Sequence, residues 1–122
     1  MLRLPRDQWP DPVNRALAHL NTRIYIPMQG PSELGASGTL ADWDRREEIR
    51  DIAVPTLVIG GQHDTMDPDH LTWMGHQFPQ GRTHLCVHGS HMTLYDDQED
   101  YFSTLVSFIA DVARGRITAR GK

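Results

Sequence analysis

The stretch that most constrains this chain runs from residue 54 to residue 91. It opens V-P-T-L-V-I-G-G-Q-H-D-T-M-D-P and closes L-C-V-H-G-S-H. Residues 56–59 form a short apolar run that stops at two glycines, the pattern of a strand buried on both faces. That strand delivers Asp64 onto a loop. Asp67-Pro68 then supplies a helix N-cap with proline at the first helical position, and Leu71, Met74 and Phe78 give one apolar face until Pro79 stops it. A second strand over residues 83–87 ends in a glycine-containing loop that carries His91. Strand, helix and strand at this length make a βαβ crossover, so the two strands are expected to be parallel and the connection right-handed. Asp64 and His91 then leave the carboxyl edge of one sheet, where open α/β folds place their sites. They are two members of a Ser-His-Asp triad, in the chain order Asp then His.

A plainer reading stays open at this point: Asp64 as an ordinary residue approaching a helix, and His91 as a surface-loop histidine. The nucleophile decides nothing, because G-x-S-x-G is absent. Gly35-Ala36-Ser37-Gly38 has the wrong spacing, and Cys86 lies inside the second strand, where a small buried apolar side chain is its expected role. No glycine-rich phosphate loop is present. His63, Asp64, Asp67, Asp69 and His70 crowd together, but adjacent side chains diverge and neither H-E-x-x-H nor a cysteine pair accompanies them. No metal and no cofactor are expected.

The rest of the chain fits around this unit. Residues 1–10 read as a lead-in loop. Asp11-Pro12 opens a short helix carrying Val13, Ala16, Leu17 and Leu20 and ending near Asn21. Residues 22–28 are β-branched and aromatic but interrupted by Pro27, so they are expected to be extended without being a central strand. A turn-rich segment follows from Gln29 to Gly35, holding one acid, Glu33. In 40–50, Asp42 or Asp44 is expected to cap a helical turn anchored by Trp43 and Ile49. After His91, Asp96-Asp97 is expected to cap a last helix with Tyr101, Leu105, Phe108 and Val112 as its buried stripe, widened by Phe102 and Ile109, and Gly115 ends it.

At 122 residues the chain is expected to be one modest domain at most, and its 39% hydrophobic and 23% charged residues are those of a soluble globular chain. No apolar run approaches the roughly 18 residues a membrane helix needs, and the N-terminus lacks a signal pattern, so no membrane partner and a cytoplasmic location are expected. The single cysteine excludes an internal disulfide. The net charge of −4 is uneven, with Arg114, Arg116, Arg120 and Lys122 at the end. Such a tail without aromatic interleaving reads as a solvated end, and no nucleic-acid partner is expected. Two interior-type strands cannot cover themselves. Their open edge is expected to meet another sheet, from the missing part of a larger fold or from another chain.

Four motifs now carry a resemblance. They are Met28-Gln29-Gly30-Pro31-Ser32-Glu33-Leu34, then Asp42-Trp43-Asp44, then V-P-T-L-V-I-G-G-Q-H-D-T-M-D-P, then H-G-S-H-M. In this order and spacing, over about residues 8–113, the chain resembles the C-terminal part of the proline iminopeptidases, serine aminopeptidases of the α/β-hydrolase fold. The resemblance implies an α/β architecture: the end of the helical cap plus the last two parallel strands and their helices. It assigns residues 1–50 to the cap and its return, 51–113 to the core and 114–122 to a basic tail. It also implies catalytic roles for Asp64 and His91, with the nucleophilic Ser in an N-terminal half outside this chain. Glu33, within the G-P-x-E motif, is implied as the ligand of the substrate's free N-terminal amine. Some members carry a Glu directly after the catalytic Asp as a second amine ligand. Here that position is Thr65, which carries no charge, so action on other N-terminal residues is expected beside proline. The implied partners are a peptide with a free N-terminus and the N-terminal half of the hydrolase. A non-catalytic association module and an esterase or epoxide-hydrolase relative are the other readings.

Overall fold

The computed structural model describes residues 2–32 and 35–120. Contacts divide the chain into two units, one of Trp9–Arg45 and one joining Met1–Gln8 to Arg46–Lys122.

The smaller unit holds α1 (Asp11–Ala18) and α2 (Thr22–Gln29). Proline in the first turn of α1 matches the expected start, but the capping position is Pro10, one residue before Asp11. The Pro10 carbonyl accepts from the amides of Val13 and Asn14 at 3.0 and 3.2 Å, and Val13 is only 2% exposed. The helix stops at Ala18, short of the expected Asn21. Residues 22–28 correct the extended expectation, because they are helical with Pro27 inside the helix. β-branched side chains favour a strand only where a neighbouring strand offers a pleated surface to pack on, and this unit contains no strand among the described residues. Pro27 has no amide to donate to Arg23 O, so α2 gives up one hydrogen bond of its ladder.

The carbonyls at the end of α2 are met by the segment that turns back on them. Ser37 and Gly38 donate to Gln29 O, Thr39 to Pro27 O and Leu40 to Met28 O. A Cβ at Gly38 would lie 2.4 Å from Pro27 O, so the return requires glycine. Trp43 does not anchor a buried helical turn within this unit, being 65% exposed. The helical geometry between residues 40 and 51 is the 3-10 turn Ile49–Asp51, in the larger unit.

That larger unit is built on the crossover. β1 (Thr56–Gly61) and β2 (Gly81–Cys86) are parallel, with Thr56 opposite Gly81 and Gly61 opposite Cys86. Among the described residues they form a two-stranded sheet. The connecting α3 (Pro68–Gln77) is capped as expected, with Asp67 Oδ1 accepting from the Asp69 amide at 2.9 Å. β1 does not stop at the glycines but runs through both, and at the first of them α3 leaves no room for a side chain. A Cβ at Gly60 would meet Leu71 at 2.4 Å.

After β2 come a single turn, α4 (Thr93–Asp96), and the long α5 (Gln98–Ala113). Strand alternation turns Arg82, His84 and Cys86 to one face. There Arg82 meets Asp111 of α5 at 2.7 Å and His84 meets Asp100 at 2.8 Å. α5 has no fully buried residue. Tyr101, Leu105 and Phe108 are half-buried, whereas Phe102, Ile109 and Val112 of the expected stripe are exposed, as is Val106. The tail is not simply solvated: Arg120 donates to the carbonyls of His76 and Gly81, and its amide to Pro79 O. Among the described residues no helix is long and apolar enough to cross a membrane.

Candidate active site

Asp64 and His91 are brought together. His91 Nδ1 lies 3.1 Å from Asp64 Oδ1 and 3.2 Å from Oδ2. The backbone sets this meeting. The amide of Gln62 donates to Cys86 O and that of His63 to Gly89 O, both at 2.9 Å, so the two loops are stitched where the strands end. Asp64 N donates to Gly61 O at 3.2 Å, which turns the carboxylate inward. Gly61 is the point of closest approach: a Cβ there would stand 2.3 Å from Ser90 O and 2.4 Å from Gly89 C.

The two partners differ in burial. The Asp64 side chain is 7% exposed and that of His91 45%. Asp64 Oδ1 also accepts from the Met66 amide at 2.9 Å, with the Thr65 hydroxyl at 3.5 Å. An ionised carboxylate only accepts hydrogen bonds, so in this contact Nδ1 carries the proton. The neutral ring then leaves Nε2 as its acceptor.

The loop that carries His91 is held by residues whose sequence pattern points elsewhere. Asp96 and Asp97 precede α5, but neither side chain caps it. Asp96 accepts instead from Ser90 N at 3.0 Å, from Ser90 Oγ at 2.5 Å and from Arg3 N at 3.0 Å. Asp97 accepts from His88 N at 3.0 Å, and Arg3 Nη1 donates to His88 O at 3.0 Å. Ser90 is buried at 3% exposure. A carboxylate near a helix start reads as a cap in sequence; a serine just before the histidine is the available sign of another use.

Cys86 is fully buried at the end of β2, as expected, and burial pushes its thiol pKa up. His84, Cys86 and Asp100 are a group among the described residues whose donor atoms lie close enough for one metal ion. Glu33 lies outside the described residues.

No family model matches the chain. In fold it is similar to the crystal structure of VinJ, with a TM-score of 0.79 at 25% identity over 85% of this chain and 36% of that one. It is likewise similar to the crystal structure of proline iminopeptidase from Mycobacterium smegmatis, with a TM-score of 0.76 at 28% identity over 93% of this chain and 39% of that one. The class is therefore the α/β hydrolases, of which this chain has one segment of the fold. Within that class the chain is a homologue of part of the proline iminopeptidases. It is 48% identical over 110 residues to the proline iminopeptidase of Chitinophaga pinensis, covering 90% of this chain and 37% of that protein. The Flavobacterium johnsoniae proline iminopeptidase is 44% identical over 106 residues, 87% of this chain and 36% of that protein. The chain thus spans little more than a third of the length of these relatives.

Proposed function

We propose that this chain supplies the Asp and His of a Ser-His-Asp triad to a serine aminopeptidase that removes proline, or another N-terminal residue, from peptides. The contact of His91 Nδ1 with the Asp64 carboxylate at 3.1 Å, at the ends of adjacent parallel strands, carries this reading. A serine outside this chain attacks the first peptide carbonyl. His91 Nε2 takes the serine's proton and then passes it to the leaving amine, while Asp64 holds the ring's tautomer and stabilises the imidazolium. Amides from the remainder of the hydrolase hold the oxyanion. Glu33 binds the substrate's ammonium through a charge-assisted hydrogen bond worth about 1.5–3 kcal/mol.

The remaining part of the hydrolase also covers the open edge of β1. If a separate chain does so without catalysis, the molecule is an association module. The one-sided pairing of the sheet favours keeping that second reading.

The test is prolyl-arylamide hydrolysis, by this chain alone and by the complete hydrolase. The chain alone is expected to be inactive. In the complete enzyme Asp64→Asn lowers kcat by about 10⁴-fold. Glu33→Gln weakens amine-bearing substrates but not acyl-blocked ones. Arylamine release by the pure chain that disappears in His91→Ala would overturn the missing-nucleophile assignment. Unchanged turnover in Asp64→Asn would overturn the triad.

A further inference from the structure

A second cluster of reactive side chains lies on the α5 face of the sheet and has no part in the proposed hydrolysis. Alternation along β2 puts His84 and Cys86 on the same face, two residues apart, and the first turn of α5 places Asp100 opposite them. One donor atom from each, an imidazole nitrogen, a sulfur and a carboxylate oxygen, lies within 4.8 Å of the other two. The nitrogen and oxygen are already in contact, with His84 Nε2 2.8 Å from Asp100 Oδ1. We propose that His84, Cys86 and Asp100 form a binding site for a divalent transition metal of the zinc class.

The donor set selects that class. A thiolate beside an imidazole suits zinc or cobalt, whereas magnesium and calcium want oxygen ligands alone. Zinc bonds of about 2.0–2.3 Å set tetrahedral donors roughly 3.3–3.7 Å apart, so side-chain adjustments of about an ångström close the cluster around an ion. Cys86, fully buried, forms the floor of the site. His84 and Asp100, whose side chains are 35% and 33% exposed, leave it open on one side. Water takes the fourth position. The ion displaces the thiol proton, which leaves to solvent, and takes the place of the proton on the His84 nitrogen that faces Asp100, which moves to the other nitrogen of the neutral ring. Bound there, it ties β2 directly to α5, the two elements between which the His91 loop is strung.

The sequence makes the test selective, because Cys86 is the only cysteine. Cobalt(II) is titrated into the purified 122-residue chain under reducing, chelator-free conditions. The expected result is a thiolate-to-cobalt charge-transfer band that saturates at one equivalent and is bleached by zinc. Cys86→Ala abolishes the band. His84→Ala and Asp100→Asn each weaken binding by more than the roughly 10–100-fold that loss of an outer-shell partner costs. Cobalt absorption without the charge-transfer band in the unmodified chain would overturn the proposal, since the metal would then sit on other histidines or carboxylates. A band of unchanged affinity in both His84→Ala and Asp100→Asn would overturn it equally.

Discussion

The two faces of the small sheet are finished in different ways. On the α3 face the packing is close and largely apolar. Val58 is 7% exposed, Leu71 lies where a Gly60 side chain would go, and a Cβ at Gly75 would collide with Thr83 Oγ1. The α5 face is held by charged contacts, Arg82 with Asp111 and His84 with Asp100, over a helix with no fully buried residue. Apolar burial is worth about 25 cal/mol per Å², whereas partly exposed ion pairs contribute little. The crossover helix is therefore what keeps β1 and β2 together, and α5 is attached more loosely. The faces meet again at the carboxyl ends of the strands, where the Asp64 and His91 loops touch.

Substitutions at these places separate the contributions. The largest effect is expected from Gly61→Ala, where the new methyl meets backbone that cannot turn aside. A loss of about 3 kcal/mol in urea unfolding is expected. The Asp64–His91 contact should part as well, read from the His91 ring nitrogens by NMR. An intact contact at full stability would mean the close approach is not needed. Val58→Ala tests the α3 face and should cost roughly 1.5–3 kcal/mol.

Arg82→Ala tests the charged face and should lower Tm less than Val58→Ala does. Its pH dependence is more telling. Hydrogen bonding from Arg82 holds the Asp111 carboxyl below the ordinary value of 3.8. A lowered carboxyl stabilises the fold above the unfolded value and loses that contribution as pH falls through the folded one. Arg82→Ala should therefore flatten the stability curve below about pH 4 and leave its slope at neutral pH alone. A difference that persists unchanged into strong acid would remove the pair from the account. Phe102→Ser should be the mildest, within about 0.5 kcal/mol of no change, because its ring is already exposed in this chain. A large loss there would show that the outer stripe of α5 is covered after all.

The crossover is legible in the sequence because local chemistry and tertiary demand agree in it. An apolar run ending in glycines, an Asp-Pro helix start and a second strand leave few alternatives, and Asp64 and His91 follow from where the strands end. Elsewhere the decisive partner is distant. Residues 22–28 have strand-like side chains, but their unit holds no strand among its described residues. Asp96 and Asp97 sit where caps sit, yet buried Ser90 and the His88 amide claim them. Arg3 reaches His88 O in the same loop across 85 residues of sequence, a separation no local pattern encodes. The apolar positions of α5 read as one broad stripe because periodicity shows that a face is apolar, not whether anything covers it. His84, Cys86 and Asp100 are hidden in the sequence for a related reason. Alternation gives the first two, but only the fold supplies the third.

The backbone stitching between the His63 and Gly89 loops bears on assembly. The proposed dyad draws its alignment from hydrogen bonds within this chain, between the ends of adjacent strands. The entropy of orienting the imidazole is thus lost when this segment folds, ahead of any encounter with a nucleophile. A serine arriving on the remaining part of the hydrolase would find its base already aimed and would need only to be placed itself. The His91 ring would then add no reorganisation of its own to the reaction.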